Sequence, residues 1–277
     1  MILFLKPVAA LVQLALKDET SSHILLVPLI SAWLLFSERN QSGASEKSAP
    51  WLGIAALLAA ILAGLLGVSC RSCTSKNLLG LYALSLVLLI VAGHAILFGP
   101  MKTRSSSFAL AMLLFAVPIP DAILRKIIYW LQSGSAAIAE VFFNLSGAPV
   151  LRDGFVFRLP RISIEVAQEC SGIRSSLALL ILALLVAHFS FRAFWKKSVF
   201  VLAGLCMMLV KNGIRIASLT LLANYVNPNF LYGNLHHQGG IVFFLVGLAL
   251  LFPVFWFLRR GEKLPASVSP SAQKPSF

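Results

Sequence analysis

The chain has 277 residues, of which 58% are hydrophobic and 12% charged, with a formal net charge of +13. Soluble domains run at about 45–50% apolar and about 25% charged, so composition excludes an ordinary water-soluble globule. The basic surplus does not point to nucleic acid, because most Lys and Arg residues lie between apolar blocks, where they orient spans and meet membrane lipids.

In chain order, Met1–Leu16 is apolar and short for a span, and it reads equally as an interfacial segment. No small-residue cleavage pattern follows it, so no signal peptide is expected. Residues 23–37 form a short first span, and a polar loop follows at 38–50. Residues 51–69 and 77–98 are each long enough to cross a hydrocarbon core. The turn between them, 70–76, carries Cys70 and Cys73. A lone CxxC cannot supply the ligands that zinc needs, which leaves a loop disulfide or two idle thiols and no metal site. A further span is expected at 106–120, ending at Pro118-Ile119-Pro120.

Residues 121–146 differ from the spans. Arg125, Lys126, Gln132 and Glu140 interrupt an apolar run in which Ile123, Ile127, Leu131, Ile138 and Phe142 recur near helical spacing. That is the pattern of an amphipathic helix at the interface or against the bundle. Residues 149–166 are β-branched and alternating about Asp153-Gly154, which predicts a small β-hairpin just outside the membrane. Spans follow at 171–188, 198–226 and 239–258. The expected fold class is an all-α polytopic membrane protein with seven to eight transmembrane helices, one amphipathic helix and a small extracytoplasmic β-hairpin. A single membrane-embedded domain is expected over 1–260, with a disordered cytoplasmic tail at 261–277.

Loop charges orient the spans. Arg192, Lys196 and Lys197 share one loop, Arg259, Arg260 and Lys263 follow the last span, and 227–235 has no Lys or Arg. The positive-inside rule puts 189–197 and the C-terminus in the cytoplasm. The hairpin, the 227–238 loop, 17–22 and 70–76 then face outward, although the hairpin itself carries Arg152, Arg158 and Arg161.

Three polar clusters meet on that outward side. The first, Glu169-Cys170-Ser171-Gly172-Ile173-Arg174-Ser175-Ser176, lies where the hairpin enters a span. A helix N-terminus and Arg174 both favour the thiolate of Cys170, whereas Glu169 opposes it. A cysteine at a helix start is, taken alone, commonly inert packing. The second cluster is Lys211-Asn212-Gly213-Ile214-Arg215, whose cations share one helix face inside an apolar stretch. Such groups face a cavity or partner, or snorkel to the interface. The third is His236-His237-Gln238-Gly239-Gly240, which can carry protons near neutral pH or merely cap the span. Together, Cys170 and His236 supply a nucleophile with its proton carrier, and Arg215 a permanent cation.

These clusters resemble the exosortase/archaeosortase family of membrane cysteine transpeptidases. Glu169-Cys170-Ser171-Gly172-Ile173-Arg174-Ser175 is similar to the family's central motif, Asn212-Gly213-Ile214-Arg215 to its N-x-x-R, and His236 through Gly240 to its H-x-x-x-G. Asp18 through His23, followed by Val27-Pro28, resembles the family's D-x-x-x-S-H. Ser21 and Ile241 stand where the family often has aromatic residues. A histidine in the third motif resembles bacterial rather than archaeal members. The resemblance implies a catalytic triad of Cys170, Arg215 and His236, supported by Arg174, Asn212, Lys211, His23 and Asp18. It implies a protease or transpeptidase, without cofactor, in the bacterial cytoplasmic (inner) membrane. Its partners would be C-terminal sorting-signal peptides of the PEP-CTERM type on exported proteins, cleaved on the outer face through a thioacyl-enzyme. The alternatives are a transporter, or a non-catalytic membrane subunit linked to exopolysaccharide export. A transporter leaves Cys170 without a role, and no repeated halves are visible.

Overall fold

A computed structural model describes residues 2–38, 51–70, 73–231 and 240–260. The chain forms two compact units, 1–130 and 131–277, and their boundary falls inside one long helix.

The first unit contains α1 (Ile2–Lys17), α2 (His23–Glu38), α3 (Trp51–Ser69), α4 (Ser75–Ser105), α5 (Ser107–Met112) and the start of α6 (Asp121–Leu145). Small residues govern the α3–α4 contact. Gly53, Ala60, Ala63 and Gly67 form the buried face of α3, and a Cβ on Gly53 would lie 2.5 Å from Ile96 Cγ1. Lipid gives no hydrophobic drive between helices, so close backbone approach and polar contacts hold the pair together. The Ser85 hydroxyl accordingly donates to the Ala60 carbonyl at 2.8 Å. The outer face of α3 exposes Leu58, Leu62 and Leu65, as a lipid-facing helix must. Just after α3, Cys70 and Cys73 are disulfide-bonded, with Cα atoms 5.5 Å apart.

Among the described residues, five helices are long and apolar enough to cross a membrane, or six if the bent pair Ser107–Ala116 and Asp121–Leu145 is one span. Seven to eight were expected, and the differences have physical causes. α2 has 16 residues and so reaches only about 24 Å, short of a hydrocarbon core of about 30 Å. The expected span at 106–120 is helical only over Ser107–Ala116. Pro118 and Pro120 end it, and α6 leaves at 93°. The amphipathic helix expected at 121–146 is α6. In its second half the buried face is Gln132, Ser135, Ala136, Ala139 and Phe143, whereas the exposed positions include Ile123, Tyr129, Trp130 and Val141.

The second unit contains the rest of α6, strands β1 (Leu151–Asp153), β2 (Val156–Arg158) and β3 (Ser163–Glu165), and helices α7 (Ile173–Ser190), α8 (Phe194–Tyr225) and α9 (Gly240–Arg259). The expected hairpin turns at Gly154, where φ is +60°, but a second turn adds a strand. The result is an antiparallel sheet in the order β1-β2-β3. Two of the three arginines that weakened the charge argument are paired: Arg152 with Glu140 at 2.7 Å and Arg158 with Asp153 at 3.7 Å.

Two apolar cores stack along α8. One holds Ala136, Ala139 and Phe143 of α6, Phe157 and Val166 of the sheet region, and Ile216 and Ala217 of α8. The other holds Leu179 and Ala183 of α7, Phe200 and Met208 of α8, and Leu251 and Leu258 of α9. Gly213 lies between them, and a Cβ there would sit 2.5 Å from Ile138 Cγ2 and 3.2 Å from the Ala139 backbone nitrogen. Neither atom belongs to a flexible side-chain end. Gly213→Ala should therefore cost about 1–3 kcal/mol and lower the thermal midpoint in detergent. Gly93→Ala, with nothing within 4 Å of the added carbon, should leave the midpoint unchanged.

Candidate active site

The polar chemistry of the second unit gathers where α7 begins against the middle of α8. Cys170 lies in a 3₁₀ turn, Gln168–Ser171, that leads through Gly172 into α7. The Cys170 and Glu169 side chains, and all of His236, lie outside the described atoms. Gly172 has φ +70°, the left-handed conformation in which glycine is favoured. Among the described residues no side chain caps α7, whose N-terminus follows directly on the turn that carries Cys170.

Two consecutive residues of α8 grip this turn. Lys211 is 2% exposed and its Nζ donates to the Ser175 hydroxyl. Ser175 in turn donates to the Gly172 carbonyl at 3.1 Å, and that carbonyl also accepts the Ser176 amide at 2.9 Å. Asn212 is 1% exposed, and its Nδ2 donates to Ser135 Oγ of α6 at 3.0 Å. Its carboxamide packs directly on Gly172, where a Cβ would lie 2.8 Å from Asn212 Oδ1. The Lys211 stem lies against Gly247 of α9. α6, α7, α8 and α9 are thus tied at one level.

Ser171 and Ser176, on either side of Gly172, are buried with hydroxyls that make no hydrogen bond. Such atoms are rare in folded proteins, and the absence of a partner holds among the described residues, which do not include the adjoining Glu169 and Cys170 side chains. Arg215, half-buried, stands one turn beyond Lys211 on α8, and Arg174 is exposed in the first turn of α7. Of the eight residues singled out in the sequence, Asn212 packs on Gly172 at the end of the turn that carries Cys170, Lys211 reaches Gly172 through Ser175, and Arg215 shares their helix. Ser135 and Gly247 were not singled out. Each is a small residue whose role depends on a partner remote in sequence.

Asp18 and His23 belong to the first unit. Asp18 accepts from Thr20 and Ser21 and pairs with Lys76 Nζ at 2.9 Å. The His23 ring is hydrogen-bonded to the backbone of Phe115 and Thr20. Both residues fasten the turn between α1 and α2. Burial pushes the Asp18 carboxyl up, but the hydrogen bonds from Thr20, Lys76 and Ser21 together outweigh it and hold it at about 2.

A family model described as transmembrane exosortase matches residues 15–253 of the 277. No curated protein and no solved structure matches the chain.

Two outcomes follow from this geometry. Gly172→Ala meets both the left-handed backbone and Asn212, so it should cost about 2 kcal/mol or more of stability, read as a lower thermal midpoint in detergent. Asp18→Asn should lower the thermal midpoint at neutral pH. The folded carboxyl titrates at about 2, below its ordinary 3.8, so its contribution is complete above about pH 4 and is lost on acidification toward pH 2. The gap between wild type and Asp18→Asn should close over that interval.

Proposed function

The chain belongs to the transmembrane exosortase family, and we propose that it is a membrane cysteine transpeptidase acting on C-terminal sorting signals, with Cys170 as nucleophile. It is a multi-pass membrane protein of a family of sorting transpeptidases. The observation that carries the finer reading is the turn after Cys170, held by Lys211 and Asn212 from α8 at the uncapped N-terminus of α7. A thiolate is favoured there by the helix dipole and by nearby cations.

Depth supports an outward-facing site. Trp195 is exposed near the start of α8, beside the basic residues Lys196 and Lys197, as at a cytoplasmic interface. At about 1.5 Å per residue, Lys211 lies about 24 Å and Arg215 about 30 Å farther along α8. Arg215 therefore reaches the opposite surface of a hydrocarbon core about 30 Å thick, and Lys211 lies about one turn short of it. At the basic end, Arg259 and Arg260 lie over Phe255 and Trp256. The Cys70–Cys73 disulfide supports the outward assignment of 70–76, because such bonds persist in oxidising compartments.

In the proposed reaction the Cys170 thiol gives its proton to His236, and the thiolate attacks the scissile carbonyl beside a PEP-CTERM-type motif. Arg215 stabilises the oxyanion. The imidazolium protonates the leaving amine as the C–N bond breaks, leaving a thioacyl-enzyme. An acceptor amine, or water, then attacks the thioester and restores the thiol.

The test is co-expression of each variant with a secreted reporter ending in a sorting signal, followed by reporter mass. Cys170→Ala should abolish processing, and Arg215→Ala and His236→Ala should each reduce it at least about 100-fold. Full processing by Cys170→Ala contradicts the reading.

A further inference from the structure

We propose that the ends of α8 and α9 remote from the sheet form a seat for the headgroup of an anionic phospholipid. Its cations are Arg192, just before α8, Lys196 and Lys197 of α8, and Arg259 and Arg260 at the end of α9. The seat is independent of the chemistry at Cys170.

Side-chain contacts bring these two stretches of basic sequence to one place. Lys196 Nζ donates to the Leu258 carbonyl at 3.0 Å, which ties the first turn of α8 to the last turn of α9. Phe255 of α9 packs on Phe191 and Phe200, with ring centroids 5.9 Å and 6.0 Å away. The Arg259 guanidinium lies 5.6 Å over that same Phe255 ring. Arg259 therefore stands at the aromatic cluster that Phe191 enters, and Arg192 is the next residue in the chain. Arg260 is stacked 3.3 Å over Trp256. Stacking on a ring leaves an arginine its full charge and fixes the plane of its N–H donors, ready to meet a phosphate.

This concentration of charge has no answering acid. Between Glu169 and Glu262 the sequence contains no Asp or Glu, and Glu262 is followed at once by Lys263. The acids described in the second unit are Glu140, Asp153 and Glu165, which belong to the sheet and to α6. Glu140 and Asp153 pair there with Arg152 and Arg158. Ile216, where α8 meets that core, is about 30 Å along the helix from Lys196. Like charges gathered at one end repel one another, and an anion bound among them relieves the repulsion.

Lipid is the occupant because apolar surface surrounds the charges. Phe194, Trp195, Trp256 and Phe257 are exposed beside them. Such aromatic residues sit at the headgroup level of a bilayer, and α9 continues from them with exposed Phe252 and Leu245, along which acyl chains lie. A free phosphate would leave that surface uncovered. A zwitterionic headgroup would bring its own cation against the five of the protein. Diffuse attraction of basic loops to an anionic leaflet depends on the number of charges. A seat depends on where they stand, and that difference is measurable.

The full-length protein in non-ionic detergent is titrated with phosphatidylglycerol, with phosphatidylcholine of the same acyl chains, and with inorganic phosphate at constant ionic strength. Native mass spectrometry reads retained lipid, and the thermal midpoint is followed alongside. Two double variants remove charge from the two sides of the seat: Arg192→Gln with Lys197→Gln, and Arg259→Gln with Arg260→Gln. Arg125→Gln with Lys126→Gln, at two exposed positions of α6, is the control with the same loss of charge. Lys196 stays, because it ties α8 to α9. Wild type should retain one phosphatidylglycerol at least about tenfold more tightly than phosphatidylcholine, with a raised thermal midpoint, and inorganic phosphate should not displace it. Each seat variant should lose at least about tenfold of that affinity, and the control should stay within about twofold of wild type. The two seat pairs lie on different helices, so either one, once folded, decides the comparison. Equal retention of both lipids, wild-type affinity in a folded seat variant, or an equal loss in the control overturns the proposal. Displacement by inorganic phosphate overturns the lipid assignment in favour of a soluble anion.

Discussion

The second unit is organised around one constraint: a lysine and an asparagine buried side by side in α8 must both find polar partners in an apolar surrounding. Lys211 finds Ser175 of α7, and Asn212 finds Ser135 of α6. Gly213, the next residue, lets α6 come into backbone contact with α8. Three consecutive residues therefore set where α6 and α7 stand on α8. Because unpaired buried polar groups are costly, the start of α7 cannot slide along α8 without losing these bonds. The turn that carries Cys170 is held at a set height as a result.

That height matters because α8 is longer than a bilayer is thick. Its 32 residues reach about 48 Å, against a hydrocarbon core of about 30 Å. One part packs with α7 and α9 as a membrane bundle, and the other packs with α6 and the small sheet. The node falls at the change from one core to the other. Under the proposed function, a site there would meet the end of the apolar layer, where a substrate can keep an apolar helix in lipid and offer an extended segment to polar chemistry outside it.

Much of this was legible in the sequence. The long apolar runs marked α3, α4, α7, α8 and α9, because membrane helices must satisfy their backbone internally and so declare themselves by length. Asp153-Gly154 marked the first turn of the sheet, and the ordered motifs singled out Asn212, which packs on Gly172. The span expected at 106–120 ends at Ala116, ahead of Pro118 and Pro120, and with ten helical residues it crosses a membrane only if the bent pair with α6 is one span. For α6, periodicity located an apolar stripe without saying whether protein or lipid covers it; Gln132 faces inward and donates to the Val166 carbonyl at 2.9 Å. The role of Lys211 was open between snorkelling and function, since its partner Ser175 lies 36 residues away in sequence.

The central claim is that the thiol at this node becomes covalently bound to substrate. Its most direct measurement is the mass of the Cys170-containing peptide after brief incubation of the full-length protein with a sorting-signal peptide, quenched in acid. The account predicts an added mass equal to the acyl portion of the substrate, carried on Cys170 and released by hydroxylamine as a thioester must be. An adduct on another residue, such as Ser175, or substrate cleavage that proceeds with Cys170 never acylated, would contradict it.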